Sequence, residues 1–221
     1  MNHILRGDFC SGALLLTGYA PREGKGGAGL WNPWIMMALS WQLMTAGVFV
    51  GGGRLAVPLA EIWRTDPVTL RDVVVDRRAM SARLGEYPSL ERVWALSLLG
   101  RDEQAVAEGR VLLAGSADRF RPLLVLAHAC RRSHRWHEAA WLQEKALRLA
   151  SSPAREALVR YEIGVRFFDE ALYRDAAAEL EWAYDLYRVA GRERIARLCL
   201  PALERAREVR ALSPIPNYPP I

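Results

Sequence analysis

Two clusters in this sequence bring together residue types that do chemistry. Gly24-Lys25-Gly26-Gly27-Ala28-Gly29 has the form G-x-G-x-x-G, in which glycines let a backbone approach a pyrophosphate at the start of a helix. That chemistry needs a strand before the motif, a helix after it and a carboxylate about 20 residues further on. Here Pro21, Arg22 and Glu23 precede the glycines, and the next carboxylate is Glu61. A phosphate loop fails too: Gly18 stands one residue too far away, and Lys25 is followed by Gly26 where Ser or Thr is required. The second cluster is Cys130, His134 and His137, a thiol and two imidazoles on or near one helical turn and of the types that hold zinc. No G-x-S-x-G, H-E-x-x-H or paired-carboxylate spacing accompanies them. The expectation is a protein that is not an enzyme, with no catalytic residues and no cofactor.

Composition sets the frame in which such residues sit. The 221 residues are 51% hydrophobic and 25% charged, an ordinary globular balance that argues against disorder. The net charge of +5 is almost wholly arginine, since Lys25 and Lys145 are the only lysines, which suggests a GC-rich, bacterial-like genome. A modest positive charge favours acidic peptides, anionic lipid or nucleic acid alike and selects none of them. Cys10, Cys130 and Cys199 are odd in number and far apart, which fits a reducing compartment better than a disulfide framework. Asp8 interrupts the N-terminal apolar stretch, and Ala13–Leu16 is short for a signal peptide, so the expected location is cytoplasmic.

The chain divides by composition. Residues 1–29 are Gly-rich and without period, and read as an irregular or disordered tail. Residues 30–85 read as a helical N-terminal region. Within it, 33–50 (PWIMMALSWQLMTAGVFV) carries no charge and approaches the length of a membrane span, although Ser40, Gln42 and Thr45 interrupt it. A buried or partner-covered helix and a membrane-associated one both remain open. Thr65 or Asp66 before Pro67 suggests an N-cap and a helix over about 67–84, against which the β-branched run Val73-Val74-Val75 weighs. The end, 212–221, is a Pro-rich tail.

Between these ends the sequence repeats. In the window from Ala157, Arg160, Ile163, Gly164 and Phe167 take the spacing W-x-x-L-G-x-x-Y, and Ala176 and Leu180 take A-x-x-x-F nine residues later. A window from Phe120 carries Leu123, Leu126, Ala127, Cys130, Ala139 and Ala146, with Trp136 at the turn. A weaker one from Glu86 carries Leu96, Gly100, Ala105 and Leu112 and lies 34 residues before it. The step from Phe120 to Ala157 is 37 residues, which puts about three extra residues in the loop around Ser151–Ala154.

Residues 86–211 thus resemble the tetratricopeptide repeat (TPR) family, with repeats at 86–119, 120–153 and 157–190 and a capping helix at 192–211 that Pro201 should kink or split. Arg160, Gln143, Arg92, Val93 and Gly109 depart from the family's usual types. The resemblance implies an all-α fold, a short right-handed α-solenoid of helix pairs preceded by the apolar helical segment. It places Cys130 at a packing site and His134 and His137 in and after a turn, facing different ways, so no metal is expected there.

The family's first helices line a groove that meets a peptide or helix. By that alignment the groove residues are Trp94, Arg121, His128, Arg131, Arg132, Tyr161, Phe168 and Asp169. Arg121, Arg131 and Arg132 would form a positive section suited to carboxylates, and Tyr161 and Phe168 would be aromatic anchors. Equally, Arg131 and Arg132 could be a solvated face paired with Glu138 or Glu144, and Phe168 could be core. The Lys and Asn pattern of the family's carboxylate clamp is absent. The implied function is a non-catalytic protein–protein interaction scaffold for a protein or peptide, with an acidic segment suited to the positive section of the groove. The alternatives are a membrane-associated assembly factor anchored by residues 33–50, or an Arg-rich nucleic-acid accessory protein, with nucleic acid the least favoured partner.

Overall fold

The computed structural model describes residues 62–213. The expectations on residues 1–29, on the segment 33–50, on the glycine motif and on most of the proline tail lie outside the described residues.

The first half of the helix expected over 67–84 is replaced by a β-hairpin. Strands β1 (Trp63–Thr65) and β2 (Asp72–Val74) run antiparallel, with Trp63 opposite Val74, Arg64 opposite Val73 and Thr65 opposite Asp72. Two local features override the apparent cap-and-proline signal. The Asp66 carboxylate accepts the Val68 N–H at 3.1 Å and the Thr69 hydroxyl at 2.7 Å, which closes a turn. Val73 and Val74 have the branched Cβ that suits a pleated strand better than a helix. Only Arg77–Ala82 is helical (α1), capped by Asp76, whose side chain accepts the Ala79 N–H at 2.8 Å.

Seven further helices follow: α2 (Ser89–Leu98), α3 (Asp102–Gly115), α4 (Phe120–Arg132), α5 (Trp136–Arg148), α6 (Pro153–Asp169), α7 (Tyr173–Val189) and α8 (Glu193–Leu212). The described chain is therefore mostly helical. Each of these seven helices packs on the next, and α2 also packs on α4, α4 on α6 and α6 on α8. None of these helices is long and apolar enough to cross a membrane.

The same turn recurs four times. Helices α2, α4, α6 and α7 each end on a residue with left-handed backbone, at Gly100, His134, Ala171 and Gly191. In each turn the residue after it donates back to the carbonyl five positions earlier: Arg101 to Leu96, Arg135 to Cys130, Leu172 to Phe167 and Arg192 to Tyr187, at 2.8 or 2.9 Å. This is the double-bonded helix stop that satisfies the orphan carbonyls of a last turn. From Gly100 to His134 and on to Ala171 the steps are the 34 and 37 residues of the sequence windows.

Two sequence expectations change. The extra residues of the longer step do not sit in a loop. Ser152 accepts the Arg155 N–H and Pro153 occupies the first turn, so they begin α6 a turn early. Helix α8 also runs unbroken through Pro201 rather than splitting. Pro201 is exposed, while Cys199, Ala202, Leu203 and Ala206 on the other side are buried among α7 and α8 residues, which holds the helix across it.

Close helix crossings carry the core. A Cβ on Gly164 would stand 2.7 Å from Leu180 Cγ, so α6 and α7 approach as only glycine permits. The departures from the repeat pattern are satisfied by polar contacts. Arg160 lies 3.7 Å over the Trp182 ring and pairs with Glu156 and Glu179. Buried Gln143 donates to the Glu162 carbonyl at 3.0 Å and accepts from Arg166 Nε at 2.8 Å, tying α5 to α6. Arg92 grips Glu108 with two bonds and donates to the Leu84 carbonyl.

A candidate recognition face occupied by the hairpin

Helices α4 and α6 carry most of the residues singled out for the groove, and the hairpin lies against them. Tyr161 and Phe168 on α6 are buried in an apolar cluster that Leu70 of the hairpin turn joins. Phe168 stacks edge-on against Tyr173, 5.3 Å between ring centres, so its part as core is real. Trp94 on α2 is half-buried and meets Trp63 of β1 edge-on at 4.6 Å. Ile62 and Trp63 belong to a second apolar cluster with α2 to α5, so the hairpin reaches both halves of the core.

Charge runs between these apolar contacts. Arg131 on α4 and Asp169 on α6 pair at 2.5 Å, with side chains 3% and 4% exposed. The other Asp169 oxygen accepts from Arg71 Nε of the hairpin at 2.8 Å. Arg132 donates to the Asp72 carbonyl at 2.9 Å and to the Ser97 carbonyl at 3.3 Å, joining the hairpin to α2. The buried Asp72 side chain accepts the Thr65 hydroxyl at 2.6 Å across the hairpin. A third carboxylate, Glu162, is buried on α6, and its Oε1 and the Arg131 Nε have no hydrogen-bond partner among the described residues.

Burial shapes the protonation states. It pushes the Glu162 carboxyl up to about 7; Arg131 acts against the rise, while Asp72 and Asp169 add to it. His128 lies beside Arg131, with Nδ1 3.2 Å from its guanidinium. Burial, and then the positive charges of Arg131 and Arg132, hold His128 well below its ordinary value, so it is neutral at pH 7.

Seven of the eight residues therefore lie on or beside this face. Arg121 does not join the other two arginines: it lies at the opposite end of α4, half-buried, in the field of Asp118, Arg155 and Glu91. Nor are Arg131 and Arg132 a solvated face; Glu138 pairs with Arg110 and Arg135, and Glu144 with Arg148. Sequence reasoning missed Arg71, Asp72 and Glu162. The first two followed from reading a helix where the Asp66 turn and the Val73–Val75 run make a hairpin. Glu162 carries no sequence signal, because a glutamate at that helix position is ordinary until a neighbour buries it.

The suggested zinc cluster is dispersed. Cys130 is buried on α4, with its thiol pushed up to about 12 chiefly by burial. His134 occupies an exposed left-handed turn, edge-on to Trp136, and His137 is exposed at the start of α5. Among the described residues no group of three or more His, Cys, Asp or Glu side chains could hold a metal ion.

Comparison with protein-family models, with curated proteins and with solved structures finds no match for this chain.

Proposed function

We propose that this chain is a non-catalytic interaction scaffold, a short right-handed α-solenoid of tetratricopeptide-like helix pairs that holds an extended segment of a partner protein against its first helices. The observation that carries this reading is the face itself. Helices α2, α4 and α6 present guanidinium, carboxylate and aromatic groups to an extended segment of chain, and they hold one in cis. The spacing of the left-handed stops at Gly100, His134 and Ala171, with the contacts of α2, α4, α6 and α8 in succession, supports a stacked-repeat arrangement.

Selection of a displayed random-peptide library on the full chain tests the reading. The expected result is an enriched consensus that Asp169→Asn or Arg131→Gln abolishes. Failure to enrich any consensus, with the chain folded, counts against a peptide-binding scaffold.

A further inference from the structure

We infer that residues 62–75 are an in-cis occupant of this face. They stand in for a partner segment that presents an apolar side chain and then a guanidinium, followed by an open main-chain carbonyl, as Leu70, Arg71 and Asp72 do. The inference rests on the scaffold reading and names the chemistry of its ligand. Binding then exchanges the partner segment for the hairpin.

Three observations carry it. First, the seat is coded by charge where a purely structural contact would do better with apolar side chains. Asp169 is fixed by Arg131 through one oxygen and offers the other to Arg71. Buried ion pairs contribute little net stability against apolar packing, and their clearest use is to specify what pairs with what. Second, the helices hold the hairpin through its main chain as well as its side chains. Arg132 donates to the Asp72 carbonyl and Arg205 of α8 to the Val68 carbonyl at 3.1 Å. Main-chain bonds joined to side-chain pockets are how proteins grip an extended peptide of another chain.

Third, the hairpin has little stability of its own. Its strands are three residues each, and an isolated two-stranded hairpin is marginal in water. Leu70, the residue that enters the aromatic cluster, is held at φ 56, a left-handed backbone that a bulky side chain adopts only under external constraint. A segment arriving from outside makes the same contacts without that strain. A cleft of about 260 Å³ beside the turn, with Arg71, Asp169 and Arg205 on its wall, gives such a segment a place to begin.

The competing role is a permanent staple, since Trp63 and Leu70 join different halves of the core. Hydrogen–deuterium exchange of the full wild-type chain separates the two. Exchange by opening of the hairpin alone predicts that amides in β1 and β2 exchange at least about 10-fold faster than those of α4 and α6. A staple predicts exchange in step with α4 and α6, which overturns the inference.

A fluorescent peptide of residues 62–75 supplies the second readout. It should bind the Leu70→Ser, Arg71→Ala full chain at least about 10-fold more tightly than wild type, because the occupant no longer competes. The same peptide with Arg71→Glu should not bind. A folded double variant that ignores the peptide overturns the inference; if that variant does not fold, the wild-type exchange rates decide. A library peptide that binds while residues 62–75 stay protected overturns the exchange mechanism but leaves the scaffold reading standing. The absence of any binding peptide beside fast hairpin exchange removes the scaffold reading and the inference with it.

Discussion

Arg131 and Asp169 face each other across α4 and α6 at 2.5 Å, nearly free of solvent, and this pair joins the second helix pair to the third beneath the hairpin. Burying two charges is costly, and removing one partner leaves the other without compensation. Arg131→Ala should therefore cost about 3–5 kcal/mol of unfolding free energy. Arg71→Ala removes a partner whose side chain is 40% exposed and should cost no more than about 1 kcal/mol. Urea denaturation of the full chain measures both. Equal losses would show that the pair's burial does not matter.

Glu162 makes stability depend on pH. Its folded value of about 7 lies above the ordinary 4.5, so the folded state binds its proton more tightly than the unfolded state does. The penalty for ionising it is absent below pH 4.5, grows between 4.5 and 7 and is complete above 7. Glu162→Gln should raise stability above pH 7, by up to about 3 kcal/mol, and leave it nearly unchanged below pH 4.5. His128 acts with the opposite sign, because its depressed value removes stability as pH falls below 6.5. Denaturation midpoints of the two chains across this range isolate Glu162, since His128 is common to both. A constant difference at all pH values would contradict the assignment.

The helix crossings predict unequal responses to the same substitution. Gly164→Ala puts a methyl 2.7 Å from Leu180 Cγ and 3.2 Å from the Ala176 carbonyl, so α6 and α7 must separate, at a cost of about 1–3 kcal/mol. Gly109→Ala meets only side-chain atoms, Leu126 Cδ1 at 3.0 Å and Val93 Cγ1 at 3.4 Å, and gains up to about 1 kcal/mol of helix propensity. The second variant should stay within about 1 kcal/mol of wild type. Thermal melts of both check the order.

Ala171 is exposed and holds a left-handed backbone, φ 61, where the equivalent turns at Gly100 and Gly191 use glycine. Ala171→Gly relieves that conformation and removes no buried contact. It should stabilise the chain by about 1 kcal/mol, seen as a higher melting temperature. A lower melting temperature would mean that the freedom glycine adds to the unfolded chain outweighs the relief.

Much of the helical framework was legible in the sequence because it is local and periodic. Gly164 and Ala176 mark the α6–α7 crossing through size and Gly100 marks a left-handed stop through its backbone freedom, whereas the stops at His134 and Ala171 carry no glycine to announce them. The hairpin was not legible. Asp66-Pro67 is a helix start by pattern, and the choice between capping a helix and closing a turn depends on whether Leu70 and Trp63 find apolar clusters elsewhere in the chain. The meaning of Arg131, Arg132 and Asp169 was likewise decided by distance in space. The sequence places them on first helices, but only tertiary packing brings Asp169 between Arg131 and Arg71, 38 residues after one and 98 after the other. Residue size and short-range spacing determined the helices; burial, which no short window of sequence reports, decided what their shared face holds.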